Sequence, residues 1–151
     1  MAPTVLLTIG NQPDLVDKIV SKTKAIQPGQ LEGQMGPVID QLALETITRF
    51  IRDAEVSGAK ILVDGRQWTK SRPEGYWIGP TVMLHTNKQD AALREEVFGP
   101  VLSILAVETA EEAIEMQNAS PYGNGAGIYT SSGATADFFI RHFNAGMCGI
   151  K

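Results

Sequence analysis

From Val101 onward the chain alternates apolar strands with amphipathic helices, and this alternation limits the fold more than any other feature. Val101–Val107 is an almost unbroken apolar run, as expected of a strand covered on both faces. Thr109-x-x-Glu112 has the form of a capping box, whose two side chains satisfy backbone N–H groups at a helix start. The helix it opens reaches about Asn118. A turn rich in Pro and Gly then leads to a strand at 126–130. The next helix carries Ala136, Phe139, Ile140 and Phe143 on one face; Gly146 stops it, and Met147–Ile150 reads as a last strand. Strand–helix–strand–helix–strand requires right-handed crossovers, which makes the chain α/β with a largely parallel sheet flanked by helices.

The upstream part supplies further elements. Pro13 suits a first helical turn, and Leu15, Val16, Ile19, Val20 and Ile26 follow at near-helical spacing until Pro28-Gly29 breaks the pattern. Asp40 is placed to cap a helix whose Ala43, Ile47, Phe50, Ile51 and Ala54 form one apolar stripe, with Gly58 at its stop. Residues 60–64 read as a short strand closed by Gly65, and 67–75, polar and rich in breakers, as an exposed loop. Residues 76–84 are strand-like, with Pro80 marking an edge or a bulge. Residues 1–9 lack the basic flank of a signal peptide, and threonine interrupts their apolar run, so they read as a piece of buried helix.

Composition narrows the function classes. A chain of 151 residues with 43% hydrophobic and 20% charged residues has one domain's worth of core. Net charge is −4 with no run of Lys or Arg, so there is no electrostatic footprint for nucleic acid. No apolar stretch approaches the roughly 20 residues of a membrane span. A single cysteine excludes an internal disulfide and fits a reducing compartment.

The chemistry concentrates in Arg94-Glu95-Glu96-Val97-Phe98-Gly99-Pro100. A carboxylate can accept hydrogen bonds from both hydroxyls of a ribose, and an aromatic ring offers a flat wall to a base or a nicotinamide. Other motifs accompany it: Gly36-Pro37-Val38-Ile39, Gly79-Pro80-Thr81 and Asn118-Ala119-Ser120-Pro121-Tyr122-Gly123-Asn124-Gly125. Together, and in this order, they resemble the aldehyde dehydrogenase superfamily over nearly the whole chain. The Pro-Tyr-Gly-Asn-Gly segment is most similar to the CoA-acylating methylmalonate-semialdehyde dehydrogenase branch.

The resemblance implies a set of expectations. Glu96 binds the nicotinamide ribose of NAD, Phe98 lines the nicotinamide site, and Glu95 is structural or faces solvent. The family's nucleophilic cysteine falls just before Met1, so residues 1–151 are expected to be a partial catalytic domain. They would lack the NAD-binding half, the catalytic cysteine and the oligomerisation tail, and would be inactive alone. In the parent enzyme a thiolate attacks the semialdehyde, hydride passes to NAD, and coenzyme A accepts the acyl group. Methylmalonate or malonate semialdehyde thereby yields propanoyl-CoA or acetyl-CoA. The parent is expected to be a homo-oligomer of the bacterial cytoplasm or the mitochondrial matrix. If its upstream strands complete the sheet, residues 1–151 expose an edge or an apolar patch, and are marginally stable or self-associate. The alternative is a non-catalytic truncated subunit that docks on full-length protomers.

Other residues read as structural. Cys148 lies in an apolar terminal strand without a cation or base beside it, and buried inert thiols are the common case. His85 and His142 lack metal-ligand spacing and read as surface or capping residues; no metal site is expected. Gly123-Asn124-Gly125-Ala126-Gly127 precedes a strand, whereas a dinucleotide fingerprint follows one, so it reads as a tight turn.

Overall fold

In a computed structural model, which describes residues 4–151, apolar periodicity and capping together set the elements. In chain order these are β1 (Val5–Ile9), α1 (Pro13–Lys24), β2 (Gln27–Pro28), β3 (Gln34–Met35), α2 (Gln41–Val56), β4 (Lys60–Val63) and α3 (Arg66–Ser71). They continue with β5 (Thr81–His85), α4 (Ala91–Arg94), β6 (Val101–Val107), α5 (Ala110–Asn118), β7 (Gly125–Ile128), α6 (Gly133–His142) and β8 (Met147–Ile150). The caps foreseen in the sequence are present. Asp40 accepts from the Ala43 N–H at 2.7 Å, and Thr109 Oγ1 accepts from the Glu112 N–H at 3.2 Å. Glu112 in turn reaches back to the Glu108 N–H at 2.8 Å.

The main sheet has the order β1-β6-β5-β4. β6 pairs in parallel with both β1 and β5, while β4 runs antiparallel to β5 with a bulge between Ile61 and Val63. Side chains alternate across β5 and β6. Met83 and Val101 join the buried cluster built on Leu44, Ile47, Phe50, Ile51 and Ala54 of α2. Val82 and Leu102 point the other way, into a shallow apolar hollow that Thr23 of α1 also lines. Helices α1 and α2 therefore cover opposite faces of the β4–β5 side of the sheet, while α5 packs against β1 and the interior strand β6.

The structure corrects several expectations. Val5–Ile9 is an edge strand paired to β6, not a buried helix; residues 1–3 lie outside the described residues. The run is too short for helical periodicity to develop, and β6 offers a ladder to its backbone. Residues 67–71 form most of α3 rather than a loop, because the backbone N–H of Trp68 closes on Gly65 at 3.1 Å and Trp68 packs over Gly79. Strand β5 is interior, not an edge. Pro80 stands just before it, and the first ladder donor is the Thr81 N–H, 2.8 Å from the Pro100 carbonyl. The parallel pairing is also divided: β7 and β8 pair with each other in a separate two-stranded sheet.

Asn118, the last residue of α5, is tied to the end of α6 and to the connection that leads into β8. Its amide donates to the His142 carbonyl at 2.7 Å and accepts from the Asn144 N–H at 2.8 Å. Gly123 and Asn124 accept backbone bonds from Gly146 and Met147, so the glycine-rich turn extends the β7–β8 ladder. Near β4, Arg66 bonds both oxygens of Asp64 at 2.8 Å, and this contact holds the Asp64 carboxyl below its usual range.

Candidate functional site

Residues 95–100 connect α4 to the start of β6, and each is placed for a physical reason. The Glu95 N–H closes α4 on the Ala91 carbonyl at 2.8 Å. Val97 is 3% exposed and belongs to the core cluster under α2. Gly99 lies so close to Ile47 that an added Cβ would sit 2.4 Å from its Cδ1. The Val101 N–H closes on the Gly99 carbonyl at 2.7 Å, and Pro100 receives the Thr81 N–H. The backbone is therefore pinned on both sides of residues 96 and 98.

Those two residues project outward. Glu96 is exposed and has no hydrogen-bond or ion-pair partner among the described residues. Phe98 is 83% exposed and has φ of 52°, the left-handed region that aromatic residues rarely adopt. The two anchors enforce this conformation: Val97 must enter the core while Gly99 must lie flat on Ile47. A strained backbone carrying an aromatic ring into solvent is the kind of outlier that marks ligand sites. The apolar hollow beside Gly99 and Pro100 does not include Glu96 or Phe98 among its lining residues.

The strain has a measurable consequence. Phe98→Gly is expected to raise stability by about 1 kcal/mol, since an L-residue in this region costs roughly 1–2 kcal/mol and the exposed ring returns little. Urea denaturation of residues 1–151 measures it, and a loss of stability would show that the ring is held by contacts within the chain.

Other candidate residues fall elsewhere. Glu95 is exposed, in keeping with its solvent-facing assignment. Cys148 is exposed rather than buried, as is every residue of β8. His85 is neither a surface nor a capping residue: it is 3% exposed, with Nδ1 2.6 Å from Asp90 Oδ2. The sequence did not mark this pair, because the loop between β5 and α4 must fold back to bring Asp90 under His85. His142 is exposed, and its Nδ1 lies 2.7 Å from the Phe138 carbonyl. Among the described residues no group of three or more His, Cys, Asp or Glu could hold a metal ion. No helix among them is long and apolar enough to cross a membrane.

Comparison with known proteins shows the family. The sequence pattern of the Aldehyde dehydrogenase family matches residues 2–151. The chain is 37% identical to the malonate-semialdehyde dehydrogenase of Bacillus cytotoxicus, a match covering 100% of this chain and 32% of that one. It is 38% identical to the acylating, mitochondrial methylmalonate-semialdehyde dehydrogenase of Arabidopsis thaliana, covering 100% of this chain and 26% of the relative. The crystal structure of methylmalonate-semialdehyde dehydrogenase from Oceanimonas doudoroffii superposes with a TM-score of 0.90 at 33% identity, over 97% of this chain and 31% of that one. A structure from Sinorhizobium meliloti 1021, described as a methylmalonate-semialdehyde dehydrogenase complexed with NAD, gives 0.90 at 31% identity over the same shares. The chain thus spans about a third or less of the length of these relatives. On the match across residues 2–151, the chain belongs to the aldehyde dehydrogenase family.

Proposed function

We propose that residues 1–151 are the part of an NAD-dependent, CoA-acylating semialdehyde dehydrogenase that positions the nicotinamide end of NAD. Malonate or methylmalonate semialdehyde is the proposed substrate class, since the similar proteins carry those names. The observation that carries the reading is the partnerless Glu96 carboxylate beside the exposed, left-handed Phe98. An ionised carboxylate has acceptor capacity for two hydroxyls, and no protein group competes for it here. A neighbouring structure complexed with NAD supports the choice of cofactor.

NAD, when bound, supplies the hydride acceptor. The chain's own residues do the positioning. Glu96 would accept hydrogen bonds from the ribose hydroxyls, and the Phe98 ring would flank the nicotinamide end. Val97 and Gly99 keep both side chains on a fixed backbone, so alignment is achieved before the substrate arrives. Coenzyme A as acyl acceptor rests on the acylating relative. In this reading the segment is a partial catalytic domain, and the nucleophilic thiol is supplied from outside residues 1–151.

The test is Glu96→Gln in the complete polypeptide that carries residues 1–151. The amide keeps the size but weakens the charge-assisted bonds, so kcat is expected to fall about tenfold or more at saturating NAD. NADH formation measures it. An unchanged kcat would remove Glu96 from the site.

A further inference from the structure

We propose that Asp90 is a positioning residue for Glu96, acting through a polar clamp around its buried carboxylate at the start of α4; this rests on the role given to Glu96 above. Asp90 is 5% exposed, and both of its carboxylate oxygens are engaged. Ser57 Oγ, at the end of α2, donates to Oδ1, and His85 Nδ1, at the end of β5, lies 2.6 Å from Oδ2. With a carboxylate as acceptor, the proton of this contact sits on Nδ1, and His85 Nε2 is left buried without a partner. Asn87 completes the cluster by donating to Ser57 Oγ at 3.0 Å.

A buried carboxylate is tolerated only where its donors are in place. The donors come from α2 and β5, so Asp90 has one acceptable position relative to the core. That position sets the course of α4 and of the residues after it. The Leu93 N–H bonds the Asp90 carbonyl at 3.0 Å, the Glu95 N–H bonds Ala91, and Ser103 Oγ of the central strand donates to the Ala92 carbonyl at 3.4 Å. Glu96 comes next and Val97 then enters the core. The backbone at Glu96 is thus held from upstream by the clamp and from downstream by Val97, while its carboxylate stays exposed.

The experiment is a double-mutant cycle between Asp90→Asn and Glu96→Gln in the complete polypeptide, together with amide exchange in residues 1–151. Asp90→Asn is expected to lower kcat about tenfold, and to add nothing in the Glu96→Gln background, because both changes disable one positioned carboxylate. Amides of Leu93 and Glu95 should exchange about tenfold faster while those of Ile104 and Leu105 in β6 stay unchanged. Losses in kcat that multiply, or exchange that quickens equally in β6, would overturn the proposal and leave Asp90 a general stabiliser. Should Asp90→Asn fail to fold, Ser57→Ala removes one donor from an exposed residue and must give the same pattern on a smaller scale. If Glu96→Gln alone leaves kcat unchanged, the reading of Glu96 fails instead. If it slows turnover and neither Asp90→Asn nor Ser57→Ala does, only the clamp is refuted.

Discussion

Replacing Gly65 by alanine is expected to cost about 3 kcal/mol or more in folding stability. The added Cβ would lie 1.9 Å from the Gly79 carbonyl oxygen, 2.5 Å from its carbon and 2.7 Å from Thr81 Oγ1. Two of these atoms are backbone, so no rotamer change relieves the clash. The same residue accepts the Gly79 N–H at 2.9 Å and donates to Thr81 Oγ1 at 3.0 Å, so moving it apart breaks bonds at the start of β5. Gly133→Ala is the control: no heavy atom lies within 4 Å of the point its Cβ would occupy, and stability should stay within about 0.5 kcal/mol. Urea melts of both variants decide it. A Gly65→Ala protein as stable as the parent would mean that α3 does not cross the strand this closely.

Residues 1–151, purified alone, are expected to form no NADH from malonate semialdehyde with NAD and coenzyme A. Thiol attack is the step at issue. Removing a nucleophile from an enzyme costs on the order of a millionfold in kcat. Cys148 is the only thiol in the chain, and it lies on β8 in the two-stranded sheet, not in the sheet that Glu96 leads into. Among the described residues it has no hydrogen-bonded base or cation to generate a thiolate. Turnover by residues 1–151 would refute the assignment of the nucleophile to another segment. Cys148→Ser in the complete polypeptide should leave kcat within about twofold, since a free surface cysteine is inert unless activated.

Much of the fold was legible because local chemistry and tertiary packing agreed. Asp40 and Thr109 cap the helices their positions foretell, and α2 buries Ile47, Phe50, Ile51 and Ala54 of the expected stripe, with Leu44 rather than Ala43 as its first buried residue. The failures occur where a distant partner decides. Val5–Ile9 has no period of its own and becomes a strand only because β6 accepts it. Helix α3 starts at Gly65 without a side-chain cap, so its polar sequence resembled a loop. Pro80 was a sound edge signal displaced by one residue from the ladder. The motif in the sequence singles out Glu96 and Phe98 as candidates, but it could not show the left-handed backbone of Phe98. That conformation follows from Ile47 pressing on Gly99, a contact between residues far apart in sequence. The His85–Asp90 pair was hidden for the same reason.

The pairing of β1 with β6 joins residues almost a hundred positions apart, Val5 with Ser103. During synthesis at about 5–20 residues per second, the Val-Leu-Leu-Thr-Ile segment leaves the ribosome several seconds or more before its partner exists. Until then the backbone edge that β6 will pair is open to chaperones and to neighbouring nascent chains. Completion of β6 is therefore the event that ends this vulnerable interval, and a slowed ribosome between the two strands would lengthen it.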